Sequence, residues 1–146
     1  MTRIDFYFNV ADKPQTISDL VQSSLSKRRL VTILADDESM AGKVSAGLWQ
    51  KKAESFLPNV LVNHTLAKQT PVIIHWQENA LLQDDMLINL TPSTPGFFSR
   101  FTHLVELVGD EEHDKIAARQ RYKFYRDRGY EIKTFDHAQA NSLAVE

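Results

Sequence analysis

The feature that most constrains the fold is residues 30–35, a six-residue stretch in which only Thr32 is not apolar. Such a run is typical of a strand with both faces covered, as in a parallel sheet flanked by helices. It lies between two segments with helical spacing of apolar residues. One begins near Pro14, and the other follows Asp36 or Asp37, either of which can cap a helix. With a short aromatic strand at residues 4–8, these segments predict a βαβ unit.

Further strands are predicted over residues 60–62, 72–76, 86–90 and 104–108, with one helical turn in residues 97–101. A long helix is expected from the acidic residues 110–112 to Gly129, a residue suited to closing a helix. This alternation predicts one α/β domain over residues 1–136, with a largely parallel sheet flanked by helices. Residues 137–146 are predicted to form a flexible C-terminal tail.

A parallel sheet suggests nucleotide binding, but the phosphate-binding motifs are missing. The turn after the first strand, residues 9–14, contains no glycine, whereas a phosphate loop needs backbone that approaches the phosphate closely. Gly42 and Gly47 fall inside a predicted helix, where close packing is their expected use. The five histidines form no HExxH or i, i+4 pair, and the chain has no cysteine. We therefore expect neither a cofactor nor a metal.

Three carboxylates, Asp36, Asp37 and Glu38, follow the apolar strand at the end where open α/β sheets place ligands. They support the alternative of a small α/β enzyme. Helix capping explains them more simply, and the sequence contains no Gly-x-Ser-x-Gly nucleophile elbow, so a non-catalytic protein is favoured.

Charge and hydropathy narrow the class of protein further. The net charge of −2 argues against a protein that holds nucleic acid mainly by counterion release. No apolar run approaches the roughly 20 residues that a membrane-spanning helix needs. Together with the absence of cysteine, these features predict a cytoplasmic protein that contacts DNA mainly indirectly.

The predicted last helix carries a stripe of cations around one aromatic ring. Its members recur at i, i+4, i+7 and i+11 and therefore share one face: Lys115, Arg119, Tyr122 and Arg126. This stripe is suited to an acidic peptide. A solvated helix face would show the same pattern, as would a surface that stacks single-stranded nucleic acid on Tyr122 and Tyr125 beside the arginines.

The other side of this helix is expected to face the core. Ala117 and Phe124 lie opposite the stripe, Ala118 and Tyr125 lie between the two sides, and Arg121 and Arg128 interrupt the apolar side.

A second candidate surface contains Trp49, at the end of the second helix, and Phe56 in the connection that follows. Large aromatic side chains around a non-repetitive loop often anchor protein interfaces. The same two rings could equally cover the edge of the sheet, and the sequence does not separate these alternatives.

Three segments together resemble the chi subunit family of bacterial DNA polymerase III. They are residues 5–8 (DFYF), residues 48–59 with LW at the start and ESFLPN at the end, and residues 119–130 (RQRYKFYRDRGY). The resemblance is colinear over about residues 1–136. It implies a non-catalytic accessory subunit of the clamp-loader complex, with a nucleotide-binding-like sheet that lacks the phosphate loop.

The resemblance also implies two protein partners. A site for the acidic C-terminal tail of single-stranded DNA-binding protein maps onto Lys115, Arg119 and Tyr122, with Val108 at its apolar base. Arg126 joins this set from the helical stripe. A surface for the psi subunit maps near Trp49 and Phe56, which makes the two predicted sites separate.

Overall fold

The computed structural model describes residues 2–49, 60–61, 70–76 and 83–138. The described ranges form seven strands and three α-helices, and a short 3-10 helix, Phe98–Arg100, precedes the sixth strand. In chain order the elements are β1 (Arg3–Phe8), α1 (Lys13–Ser26), β2 (Val31–Leu34), α2 (Glu38–Trp49), β3 (Val60–Leu61), β4 (Val72–His75), β5 (Met86–Asn89), β6 (His103–Leu107), α3 (Glu112–Asp127) and β7 (Ile132–Asp136).

The seven strands form one sheet in the order β3-β4-β2-β5-β6-β1-β7. Every pair of neighbouring strands among them is parallel. The α/β fold with a parallel sheet is therefore confirmed. Because the strands are parallel, their carboxyl ends meet at one edge of the sheet, and the loops that follow β1, β5 and β6 lie together there.

Helices cover both faces of the sheet, as the apolar run at residues 30–35 predicted. On one face α1 and α2 pack over a core that includes Ile17, Val21, Ala41, Ile33, Ile88 and Val105. On the other face α3 and residues 97–101 pack over a core that includes Ile4, Phe6, Leu104, Phe98 and Tyr125. The second core is rich in aromatic rings, with Phe98 edge-on to Tyr125 at 5.0 Å between ring centroids.

Capping residues define the helix ends. The Asp12 side chain accepts a hydrogen bond from the Gln15 N–H at 3.1 Å, and Pro14 lies in the first turn of α1. Asp37 accepts from the Met40 N–H at 2.8 Å at the start of α2, which confirms the predicted capping role. Gly129 follows α3 with a φ of 82°, the left-handed conformation expected of a glycine that closes a helix.

Two sequence-based expectations were wrong, and one strand was missed. Strand β7 was not predicted, because it lies at the edge of the sheet and its central residues are exposed, so it lacks an apolar run. Gly42 and Gly47 do not serve close packing, since a Cβ built on either would meet no described atom within 4 Å. Finally, the buried residues of α3 are Ala118, Arg121 and Tyr125 rather than Ala117 and Phe124.

The predicted tail and the predicted absence of a membrane-spanning helix can be compared with the described residues only. His137 lies against the domain, where its Nε2 is 3.1 Å from the Thr16 hydroxyl, and the predicted tail beyond residue 138 is outside the described residues. No helix in the described ranges has the length and apolarity needed to cross a membrane.

Candidate functional site

A cavity of about 270 Å³ lies between α3 and the carboxyl ends of β1, β6 and β7. We refer to it as the α3 groove. Its walls include Phe6, Phe8, Val108, Lys115, Arg119 and Tyr122. The structure thus brings together four of the five residues that the sequence placed in a peptide site, and it leaves Arg126 outside the lining.

The base of the α3 groove is apolar. Val108 follows β6 and is 6% exposed, and its backbone is fixed by a 2.8 Å hydrogen bond from its N–H to the Tyr7 carbonyl. Tyr122 is half-buried, and its ring meets Phe6 edge-on with 5.5 Å between centroids. Ala118, one turn before Tyr122, is buried and leaves room beside the ring. This base suits an apolar side chain of a ligand.

The rim of the groove is cationic. The Arg119 side chain is 71% exposed, and its Nη1 lies 3.9 Å from the Glu112 carboxylate, a weak contact at a solvated surface. Lys115 is half-buried and lies one turn before Arg119. Arg126 is exposed further along the helix, where its Nε is 3.6 Å from Asp127. Arg119 is therefore available to a ligand carboxylate, while Arg126 can act on a ligand in the groove only through its longer-range field.

The loop between β6 and α3 is held by Asp114. Its Oδ2 accepts from the Gly109 N–H at 2.7 Å and lies 2.8 Å from the Lys13 Nζ of α1. Burial acts to raise the pKa of Asp114, but the hydrogen bonds from Lys13 and Gly109 prevail and lower it. The carboxylate thus stabilises the turn that leads from the base of the groove, at Val108, to its cationic rim.

Phe8, Asn9 and Thr134 also line the groove and were not predicted. They come from the ends of β1 and from β7, more than 100 residues apart in the chain for Phe8 and Thr134. Phe8 is 37% exposed, and an exposed ring at the carboxyl end of a strand was the available signal for it. Thr134 carried no signal, because its strand was not recognised.

A buried polar network lies under α3, on the core side of the groove. Both carboxylate oxygens of Glu106 accept hydrogen bonds from the Asn89 amide, at 3.2 and 3.1 Å. Arg121 Nε donates to Oε1 at 3.0 Å, and the Tyr125 hydroxyl donates to Oε2 at 2.6 Å. Arg121 also donates to the Pro92 carbonyl at 2.9 Å. This network, which we name the Glu106 network, joins β5, β6, α3 and the loop after β5.

Burial and pairing have opposite effects on the pKa of Glu106. Burial raises the pKa of the Glu106 carboxyl, whereas the charge of Arg121 and the hydrogen bonds from Tyr125 and Asn89 favour its ionised form. Burial also raises the pKa of Tyr125, and the neighbouring carboxylate adds to this rise. Tyr125 therefore stays protonated and acts as a hydrogen-bond donor to Glu106.

The structure gives little support to the two alternative functions, stacking of single-stranded nucleic acid and catalysis by Asp36, Asp37 and Glu38. Tyr125 is fully buried, so the expectation that it could stack a nucleic-acid base was wrong. Asp37 caps α2, and Asp36 borders a larger cavity of about 650 Å³ at the carboxyl edge of the sheet. No group of His, Asp or Glu in the described ranges is arranged to hold a metal ion.

The predicted second surface is described only in part. Trp49 is the last residue of α2, which packs on the face of the sheet opposite α3. The Trp49 side chain and the whole of Phe56 lie outside the described residues.

Comparison with known proteins gives a consistent set of relatives. A family model described as "DNA polymerase III chi subunit, HolC" matches residues 1–133. The DNA polymerase III subunit chi of Pseudomonas aeruginosa is 33% identical over 144 residues, covering 94% of this chain and 96% of that protein. The Escherichia coli K12 protein of the same name is 33% identical over 121 residues, 82% of each chain. That of Haemophilus influenzae is 32% identical over 117 residues, 80% of this chain and 81% of that protein.

Proposed function

Because the chain belongs to the DNA polymerase III chi subunit family, we propose that it acts in DNA replication by tying the polymerase to single-stranded DNA-binding protein. In this proposal it is a cytoplasmic, non-catalytic accessory subunit of the clamp-loader complex. Its α3 groove binds the acidic C-terminal tail of single-stranded DNA-binding protein, and a separate surface pairs with the psi subunit. The observation that carries the tail site is the meeting of Val108, Lys115, Arg119 and Tyr122 in one cavity.

The groove supplies what an acidic tail with a C-terminal aromatic residue requires. Arg119 presents a guanidinium that can hold the terminal carboxylate with two parallel hydrogen bonds. The apolar base beside Val108 and Tyr122 accepts the aromatic ring. Lys115 and the more distant Arg126 attract the remaining acids. This division follows the way in which charged partners gain association rate and specificity from electrostatics while buried apolar groups supply affinity.

The free-energy contributions of the individual contacts indicate a modest affinity for each tail. Exposed ion pairs, such as those expected at Lys115 and Arg126, contribute roughly 0–1 kcal/mol each. The two-bond pair of Arg119 with the terminal carboxylate is expected to contribute about 2 kcal/mol or more. Burial of one aromatic ring adds about 1.5–3 kcal/mol. Together these contributions predict a Kd for a single tail between millimolar and micromolar, about −4 to −8 kcal/mol. Many tails on one coated strand would strengthen the attachment through their high local concentration.

A titration with a fluorescent acidic peptide that ends in a C-terminal phenylalanine tests the tail site. Arg119→Ala should weaken binding about thirtyfold or more, because loss of the partner of the terminal carboxylate costs about 2 kcal/mol or more. Lys123→Ala is the matched control, since Lys123 is an exposed cation of the same helix outside the groove lining. The tail assignment fails if folded Arg119→Ala binds the peptide as tightly as the wild type.

The pairing with psi is proposed for the surface around Trp49 and Phe56. Its support is the chain's membership of the family and the position of Trp49 at the end of α2, across the sheet from the α3 groove. An aromatic anchor at the centre of an interface commonly contributes 2 kcal/mol or more, about thirtyfold in affinity.

The variant Trp49→Ala/Phe56→Ala should lose the psi subunit in co-purification and keep the tail peptide, because the two surfaces are distinct. Circular dichroism provides the necessary control for folding. Loss of the fold would mean that the two rings belong to the core, and retention of psi by a folded variant would move the interface elsewhere.

A further inference from the structure

We propose that the Glu106 network is a positioning device that fixes α3 on the sheet in the one placement that forms the peptide groove. This inference rests on the proposed tail-binding function for its purpose, although its geometric part does not depend on any ligand. No residue of the network is assigned to a ligand contact. Its task is to hold the two walls of the groove in register.

The network and the groove are built on the same two elements, β6 and α3. Glu106 lies on β6 two residues before Val108, which forms the base of the groove. Arg121 lies on α3 beside Tyr122, which forms one wall. The 3.0 Å bond from Arg121 to Glu106 therefore sets how far α3 sits along β6, and with it how Tyr122 sits over Val108.

The network and the groove also share an aromatic contact. Phe6 is the register partner of Glu106 across β1 and β6. Its ring contacts both Tyr122, at 5.5 Å, and Tyr125, at 6.0 Å between centroids. Tyr125 is held in place by its 2.6 Å hydrogen bond to Glu106. Consequently the Glu106 carboxylate fixes the Tyr125 ring directly. Through Phe6 it also positions the Tyr122 ring, which lines the groove.

Burial of the Glu106–Arg121 ion pair costs hydration free energy. Glu106 is fully buried and Arg121 is 3% exposed, so both charges have left water. A buried ion pair of this kind is often no more stabilising than apolar side chains of similar volume, and it can be less so. What it supplies that apolar side chains do not is direction, because each hydrogen bond is satisfied at only one placement of the helix. The network is therefore better explained by placement of α3 than by stability.

The network also holds the segment that leads from β5 to the core under α3. Arg121 donates to the Pro92 carbonyl at 2.9 Å, and Asn89 donates to the Ser93 carbonyl at 3.1 Å. This segment continues to Phe98, whose ring packs edge-on to Tyr125. The base on which α3 rests is thus tied to the same carboxylate as the helix itself.

An apolar replacement separates placement from stability. In the triple variant Glu106→Leu, Arg121→Met and Tyr125→Phe, apolar side chains of similar volume replace the ion pair and the phenol, so no buried charge remains unpaired. The Asn89 amide keeps its 3.1 Å hydrogen bond to the Ser93 carbonyl. We expect its urea midpoint to equal or exceed that of the wild type. The acidic peptide ending in phenylalanine should nevertheless bind about fivefold more weakly, because α3 then occupies the competent placement in only a fraction of molecules. A role in stability alone would leave the affinity unchanged.

A ligand-independent measurement accompanies the titration. Nuclear Overhauser contacts between the Phe6 and Tyr122 rings should be clear in the wild type and weakened in the triple variant. Ile88→Val, which removes one methyl group from the core on the other face of the sheet, should keep both the ring contact and the affinity. If the wild type does not bind the peptide, the proposed function fails, and the ring contact still decides whether the network positions α3.

The proposal is overturned if the folded triple variant binds the peptide within twofold of the wild type, or keeps the Phe6–Tyr122 contact unchanged. Should the triple variant not fold, Tyr125→Phe decides alone, since it removes one donor to Glu106 and keeps the ring. It must weaken peptide binding about twofold to fivefold and alter the ring contact. Wild-type behaviour in both measurements would overturn the proposal.

Discussion

Strand β6 carries two buried ionisable side chains whose surroundings differ. Glu106, on the α3 side of the sheet, has every carboxylate oxygen occupied by donors and pairs with a full positive charge on Arg121. His103, at the amino end of the strand, donates from Nε2 to Asp5 at 2.7 Å, and its Nδ1 accepts from Arg29 at 3.2 Å. The second carboxylate oxygen of Asp5 has no hydrogen-bond partner among the described residues.

The difference shows how two buried pairs on one strand can have different consequences. In the Glu106 network every carboxylate oxygen has a hydrogen-bond donor, and the network contains an ion pair. The loss of any member therefore leaves a buried charge or polar group without its partner. The His103 pair is arranged for a neutral imidazole, since one ring nitrogen donates and the other accepts. We therefore expect the first region to respond to mutation and the second to respond to pH.

The largest expected effect is on the Glu106 side. Arg121→Ala should lower the free energy of unfolding by about 3–5 kcal/mol, because it leaves the fully buried Glu106 carboxylate without its charge partner. Urea unfolding measures this change. Arg119→Ala is the matched control, two residues away on the same helix with a side chain that is 71% exposed, and should change stability by less than about 0.5 kcal/mol. Similar losses in both variants would contradict the contrast between a buried pair and a solvated one.

The contrast between Arg119 and Arg121 also marks the limit of what the sequence predicts. Helical spacing grouped the stripe on one face of α3, but its centre of the buried side was wrong, because Ala118, Arg121 and Tyr125 are buried in place of Ala117 and Phe124. It placed Arg121 on the buried side but gave no partner for it. The partner, Glu106, lies inside a predicted strand that is otherwise apolar. A lone acid in a strand covered on both faces requires a buried cation or donor, and that signal was present.

Strand ends and edges were harder to predict than strand centres. The central strands β2, β4 and β5 have all four residues buried, so their apolar runs were recognised within one or two residues at each end. Strand β7 has exposed central residues and pairs with β1 alone in the described sheet. Its contribution to the groove, Thr134, depends on contacts between residues far apart in sequence, which local patterns do not report.

The smaller expected effect is the pH dependence of the His103 region. Burial lowers the pKa of His103, and Arg3 and Arg29 act in the same direction, while the hydrogen bond and the charge of Asp5 oppose them. Between this lowered pKa and the ordinary value of 6.5, the unfolded chain binds a proton that the folded protein does not. The contribution of His103 to the free energy of unfolding should therefore rise with pH in this window and level off above it.

Urea unfolding at several pH values from 5 to 8 measures this slope. Burial lowers the pKa of His75 as well, which gives a contribution of the same sign. The raised pKa of Glu106 gives a contribution of the opposite sign above its ordinary value of 4.5. His103→Gln should therefore make the slope less positive than in the wild type, because it removes one titrating imidazole while the glutamine amide can still donate to Asp5. Arg119→Ala should leave the slope unchanged, since that side chain is remote from both histidines on the exposed face of α3. An identical slope in the wild type and His103→Gln would mean that His103 is not held neutral by its surroundings.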